Sequence, residues 1–235
     1  MLPLFVSLLF FLFLHSAINL WFSSSPFHIR LKISRGFASL ILSLVGFYVL
    51  YQGFFFWRQA FIIKHTAEDT FFNALVYGLM GHFLADFFWL AYGYSKEKSK
   101  PRLDLIIHHI FGFLVCAYAL YLNVGYLMIG IGMTDEMMPV TTGIHSLGQI
   151  LGKKSLEQRS VFLRLVVLLG WRLPLWIFVF TILLREFATG NTRVELQNIY
   201  PICFIICLFM IALDLYWSRS CIKNLRVIQK IKVSK

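Results

Sequence analysis

Long apolar runs alternate with short polar stretches from one end of this 235-residue chain to the other. Runs of about 20 apolar residues match the thickness of a bilayer when wound into a helix. Seven such runs are present: residues 2–22, 37–57, 71–93, 105–122, 124–150, 161–184 and 199–218. The pattern predicts an all-α, polytopic membrane protein with seven transmembrane helices. Asn123 and Gly125 separate the fourth and fifth runs and predict a tight turn. The fifth run differs from the others. Its middle reads Met133-Thr134-Asp135-Glu136-Met137-Met138-Pro139. Pro139 lacks the N–H that an internal helical residue donates, so a kink or break is expected there. Broken helices at membrane depth are tolerated where they line a cavity.

Composition agrees with the pattern. The chain is 59% hydrophobic and 14% charged, whereas soluble domains carry about 25% charged residues. No linker interrupts the hydrophobic pattern. The first run has no Lys or Arg ahead of it, so it lacks the basic leader of a signal peptide and is expected to stay as a helix. Cys116, Cys203 and Cys207 lie in apolar runs and Cys221 just beyond one. None resembles half of an exposed disulfide.

The net charge of +11 raises nucleic acid as a partner, but topology accounts for it better. With the N-terminus outside, stretches 23–36, 94–104 and 151–160 and the tail from Arg219 face the cytosol. They hold 16 Lys and Arg, against 4 on the outer side. Basic loops stay inside, so an outside N-terminus and a cytosolic C-terminus are expected, with no nucleic-acid partner.

Against this apolar background the ionisable residues stand out. A charged side chain at the bilayer centre costs about 2.5–3.5 kcal/mol on the insertion scale, so it is expected to face a protein interior or a wet cavity. His82 and Asp86 are spaced i,i+4 and share a helix face. His108 and His109 open the next span, and Asp86 is expected to hold one of them. Adjacent helical residues diverge by about 100°, so only one histidine of the pair is expected to face the interior. Asp135 and Glu136 lie on the broken span. Arg172, at similar depth on span six, is expected to pair with one of those two acids, and Arg164 with Asp214. His15 on span one reads as a packing or interhelical hydrogen-bond residue. The residue types of His82, Asp86, His108 and His109 would suit a metal, but no metal site is expected.

At these residues the chain resembles the TLC domain family of membrane proteins. Gly81-His82-Phe83-Leu84-Ala85-Asp86-Phe87-Phe88-Trp89 resembles that family's G-Y-F-x-x-D stretch. His108-His109 resembles its His-His pair, and Glu136-Met137-Met138-Pro139 its acid-and-proline element. Arg172 resembles its late Arg, and Asp214-Leu215-Tyr216-Trp217 its closing N-x-x-W. The likeness covers about residues 37–225. Residues 1–36 are then an extra N-terminal helix and basic loop, and 226–235 a basic tail. It implies a six-helix bundle or barrel around a cavity open to the cytosol, and an endoplasmic-reticulum location ahead of the plasma membrane.

In ceramide synthases of the family, the His-His pair serves acyl transfer from acyl-CoA to a sphingoid amine, with an H-D-x-x-x-D motif further on. Here the corresponding residues read Thr134-Asp135-Glu136-Met137-Met138-Pro139-Val140, without that motif. The resemblance therefore implies the branch outside the ceramide synthases: a protein of membrane lipid binding, lipid homeostasis or lipid metabolism, with membrane lipids as partners and no resident cofactor. The alternative is an acyl-CoA-dependent acyltransferase. On that reading His108, His109 and Asp86 are the catalytic candidates, and His82, Asp135, Glu136 and Arg172 the lipid-binding ones. A seven-span receptor is the remaining alternative, but no D-R-Y-like or N-P-x-x-Y signature is present. Membrane di-iron oxygenases need more histidines than the seven found here.

Overall fold

The computed structural model describes residues 2–55, 70–97, 102–189 and 200–233. All regular structure among them is helical: α1 (Leu2–Trp21), α2 (Phe27–Phe55), α3 (Thr70–Glu97), α4 (Leu103–Leu122), α5 (Tyr126–Asp135), α6 (Met137–Ile150), α7 (Lys154–Val167), a π-helical turn (Leu168–Arg172), α8 (Leu173–Ala188) and α9 (Tyr200–Val233). Among the described residues six stretches are long and apolar enough to cross a membrane: Leu2–Trp21, Phe27–Gly53, Thr70–Lys96, Leu103–Leu122, Lys154–Ala188 and Tyr200–Leu225. The outer loop expected at 58–70 and the polar loop expected at 185–198 fall largely outside the described residues.

Helices overrun the apolar stretches that announce them. The chain turns over Phe22–Pro26, not over 23–36, and α2 starts at Phe27. Pro26 opens it, its carbonyl accepting from the N–H of Ile29 and Arg30 at 3.0 and 3.2 Å. Arg30, Lys32 and Arg35 are therefore helical rather than loop residues. Likewise α7 begins at Lys154 instead of 161, and α9 continues to Val233, well past 218. The physical reason is that Arg and Lys are good helix formers. The end of an apolar run marks where lipid ends, and the helix carries on beyond it.

The chain forms two compact units, Met1–Leu151 and Gly152–Lys235. In the first, α2 is the central helix and packs against α1, α3, α5 and α6; α1 also packs on α3, and α3 on α4. Its apolar core joins Phe11, Leu42, Val49, Phe72, Leu79, Phe83, Cys116, Ile129 and Met133 among others. The crossing of α2 and α6 is tight enough to need glycine. A Cβ on Gly36 would stand 3.0 Å from the Cα of Gly143, and one on Gly143 would stand 3.2 Å from the Cα of Gly36. Small residues let two membrane helices approach at backbone distance.

The turn between α4 and α5 takes the form the sequence suggests. Asn123 has φ 54° and Gly125 φ 96°, and the Val124 N–H reaches the Ala119 carbonyl at 3.2 Å. Asn and Gly tolerate this left-handed geometry best. The break in the fifth run lies at Glu136, between α5 and α6. Pro139 explains it: its missing N–H and its ring are aimed at the carbonyl four residues back, that of Asp135.

In the second unit α9 packs along α7, α8 and the π-helical turn. That turn precedes Pro174, which has no N–H to give the carbonyl four residues back and so disfavours an ordinary α-turn there.

Candidate functional site

α1 shows what kind of environment the first unit is built for. It exposes Leu2, Phe5, Val6, Leu9, Phe10 and Phe13, yet buries His15 and Asn19 beside Phe11. Polar side chains inside and apolar ones outside are the arrangement lipid requires, since nothing in the bilayer core can satisfy a buried hydrogen-bonding group.

The densest collection of such groups lies where α2, α3, α4 and the Glu136 break meet. Arg35 Nε lies 2.6 and 2.9 Å from the two carboxylate oxygens of Asp86 and donates to them. On the other side of that carboxylate, His109 Nε2 lies 2.8 Å from Oδ2. Asp86 is fully buried, and Arg35 is 13% exposed. A second group of contacts centres on Glu136. Its Oε2 lies 3.3 Å from His82 Nε2 and accepts from Ser39 Oγ at 3.3 Å. Its Oε1 lies 3.5 Å from His108 Nε2. The His82 and His109 rings, 6.3 Å apart, bring the two groups together. Phe11, Phe83 and Phe87 wall them with ring contacts of 5.1 to 5.7 Å to His82 and His109.

The helical period accounts for the arrangement. Arg35 and Ser39 are i,i+4 on α2, and His82 and Asp86 are i,i+4 on α3, so each pair lies on one face. Arg35 sits opposite Asp86, while Ser39 and His82 share Glu136. Two polar layers thus stack about one helical turn, or 5.4 Å, apart. All of these groups lie toward the start of α2, the end of α3 and the start of α4, at the side of the Phe22–Pro26 turn.

One expectation from the sequence needs correction. His108 and His109 were expected to part, one inward and one outward. Both are buried, 8% and 1% exposed, with ring centroids 5.4 Å apart. Their diverging directions reach two different acids, Glu136 and Asp86, because α4 faces an interior acidic on both flanks. In the second unit, Asp214 lies 2.8 Å from Arg172 Nη2, and the indole of Trp217 lies 5.3 Å from the Arg172 Cζ. The Arg172–Asp214 pair is one the sequence reading did not make. Asp135 is buried, 1% exposed, at the end of α5.

Arg35 and Ser39 were missed altogether. Arg35 was counted among the loop charges. The available signal was a polar stripe of helical period, Arg35, Ser39 and Ser43, running into an apolar span. Among the described residues no group of three His, Cys, Asp or Glu side chains is arranged to hold a metal ion.

Fold and site together define a class: a multi-span integral-membrane helical protein enclosing a buried, ion-paired polar cluster around His82, His108 and Glu136. Compared with family models, with curated proteins and with solved structures, the chain matches none.

Proposed function

We propose that this chain is a lipid-handling membrane protein of the TLC type, and that the Arg35–Asp86–His109 and His82–Glu136–His108 cluster receives a polar lipid head group. The observation that carries the reading is convergence. Gly81–Trp89, His108-His109 and Glu136–Pro139 are the separate stretches in which the family resemblance resides. Their polar members meet in one buried cluster. The other two elements of the resemblance, Arg172 and Asp214–Trp217, likewise meet each other. A purely structural network would use up its polar atoms. Here His82 Nδ1 and His109 Nδ1 are buried with no hydrogen-bond partner among the described residues, and such atoms call for an explanation. A head group offers both donors and acceptors to them.

The outside N-terminus and cytosolic C-terminus expected from the basic loops belong to the same proposal. Arg35 leaves that count, because Asp86 neutralises it, and the remaining imbalance still points the same way. The cluster then lies in the cytosolic half of the membrane, with an endoplasmic-reticulum location following from the family.

The test is native mass spectrometry of the protein purified in mild detergent, wild type against Glu136→Gln. Gln keeps the side-chain volume and removes the charge. Wild type is expected to carry lipid that the variant releases. An unchanged lipid complement in Glu136→Gln would overturn the proposal.

One observation favours a second reading, acyl transfer from acyl-CoA. His108 is the most exposed histidine of the cluster, with Glu136 behind it. A histidine oriented by a carboxylate is suited to take a proton from an attacking hydroxyl or amine. On this reading His108 is the base, in place of the His109–Asp86 pair that Arg35 engages. Purified protein with acyl-CoA and a lysolipid or sphingoid base would form product, and His108→Asn would abolish it. Equal product from the variant would exclude this chemistry.

A further inference from the structure

A second set of polar groups lies away from the cluster, at the elbow where α1 turns into α2 beside the end of α3. Ser34 Oγ donates to the Leu31 carbonyl at 3.0 Å. It therefore accepts from His15 Nδ1 at 2.9 Å and from Asn19 Nδ2 at 3.4 Å. Asn19 Nδ2 also donates to the His15 carbonyl at 2.8 Å, and Arg30 Nη1 to the Asn19 carbonyl at 3.1 Å. With its Nδ1 donating, neutral His15 presents Nε2 as an acceptor.

These bonds leave a complementary remainder. His15 Nε2 and Asn19 Oδ1 are buried acceptors with no partner among the described residues. Arg30 Nε and Trp89 Nε1 are buried donors in the same condition. His15 is fully buried and Asn19 is 6% exposed. The four residues adjoin. The His15 and Trp89 rings are 6.1 Å apart, Trp89 stacks on Phe27 at 6.1 Å, and Arg30 Cζ lies 5.4 Å from the Phe27 ring. Tyr92 closes the aromatic group, 5.3 Å from Phe27 and 5.6 Å from Trp89, and Lys96 Nζ lies 5.7 Å from the Tyr92 ring. Just below, Leu20 and Trp21 are 74% and 85% exposed. Two cations, an aromatic group and an exposed apolar shoulder at a helix end are what the head-group layer of a bilayer meets.

We propose that this elbow binds an anionic glycerophospholipid with a hydroxyl-bearing head group. Arg30 Nε and Trp89 Nε1 donate to its phosphate, and Lys96 adds positive charge. Asn19 Oδ1 and His15 Nε2 accept from head-group hydroxyls. Its acyl chains lie against Leu20 and Trp21. This site is separate from the Glu136 cluster and does not depend on the function proposed for that cluster.

The test is thermal unfolding of delipidated full-length protein in neutral detergent, titrated with phosphatidylglycerol or phosphatidylcholine. Phosphatidylglycerol is expected to raise the midpoint at lower concentration than phosphatidylcholine. Trp89→Phe keeps the ring and removes only the indole N–H. It is expected to weaken phosphatidylglycerol about fivefold, and Arg30→Gln about tenfold or more, following typical neutral and charge-assisted hydrogen bonds. Both variants should weaken phosphatidylcholine too, since it carries the same phosphate, whereas Asn19→Leu, which removes a hydroxyl acceptor, should weaken phosphatidylglycerol alone, a result that a general loss of fold would not give. Glu136→Gln should keep the phosphatidylglycerol preference, which separates this site from the cluster. Equal response of the wild type to the two lipids would overturn the proposal, as would unchanged phosphatidylglycerol binding in Trp89→Phe and Arg30→Gln or an unchanged preference in Asn19→Leu. An equal shift with inorganic phosphate alone would overturn the assignment to a lipid.

Discussion

Arg35→Gln is the substitution whose effect the structure defines best. It removes the guanidinium whose Nε lies 2.6 and 2.9 Å from the two oxygens of a fully buried Asp86. His109 remains 2.8 Å from that carboxylate, and only a protonated His109 would replace the lost charge. Removing one member of a buried ion pair costs about 3–5 kcal/mol, mostly the penalty of leaving the other charge uncompensated. Arg35 is 13% exposed, so water reaches its side of the pair and the lower end, about 3 kcal/mol, is expected. The assay is reversible unfolding in mixed micelles, run as a cycle with Asp86→Asn and the double variant. The two single losses should not add, because the second substitution removes a charge that the first has stranded. A double replacement by Met at 35 and Leu at 86 should recover most of the stability, since a well-packed apolar pair avoids the desolvation of two charges. A loss below about 1 kcal/mol for Arg35→Gln, the range of an exposed pair, or strict additivity in the cycle, would refute the reasoning.

Gly143→Val should destabilise the first unit by about 1–3 kcal/mol, the usual range for overpacking, because its Cβ would meet the Gly36 Cα at 3.2 Å; the same micelle assay reads it. Asn123→Ala places an alanine at φ 54° and should cost about 1 kcal/mol, whereas Asn123→Gly should cost nothing. Arg172→Lys keeps the charge beside Asp214 but loses the planar guanidinium near the Trp217 indole. It should destabilise by at least about 1 kcal/mol in the same unfolding measurement, and an unchanged midpoint would show that the plane of the group is unimportant.

Much about this protein is determined by the sequence alone, because it depends on periods and totals. Runs of bilayer length specify helices. Asn123 and Gly125 specify a left-handed turn, and Pro139 specifies a break whatever packs around it. The same reading marks Asp86, His82, the histidine pair and Glu136 as residues too costly to leave in lipid. Partnership is what only the tertiary structure decides. Whether Arg35 belongs to a loop or to Asp86 depends on where α2 begins and which helix it crosses. That crossing is set by the bare backbones of Gly36 and Gly143. Both histidines of the pair turn inward because α4 has an acid on each flank, which no count along one helix reveals. Arg172 meets Asp214 because α9 packs along the π-helical turn that carries it. Burial cost is a property of a residue and its neighbours in the chain, whereas pairing is a property of distances between helices. The first is therefore legible in a linear pattern, and the second appears only when the helices are packed.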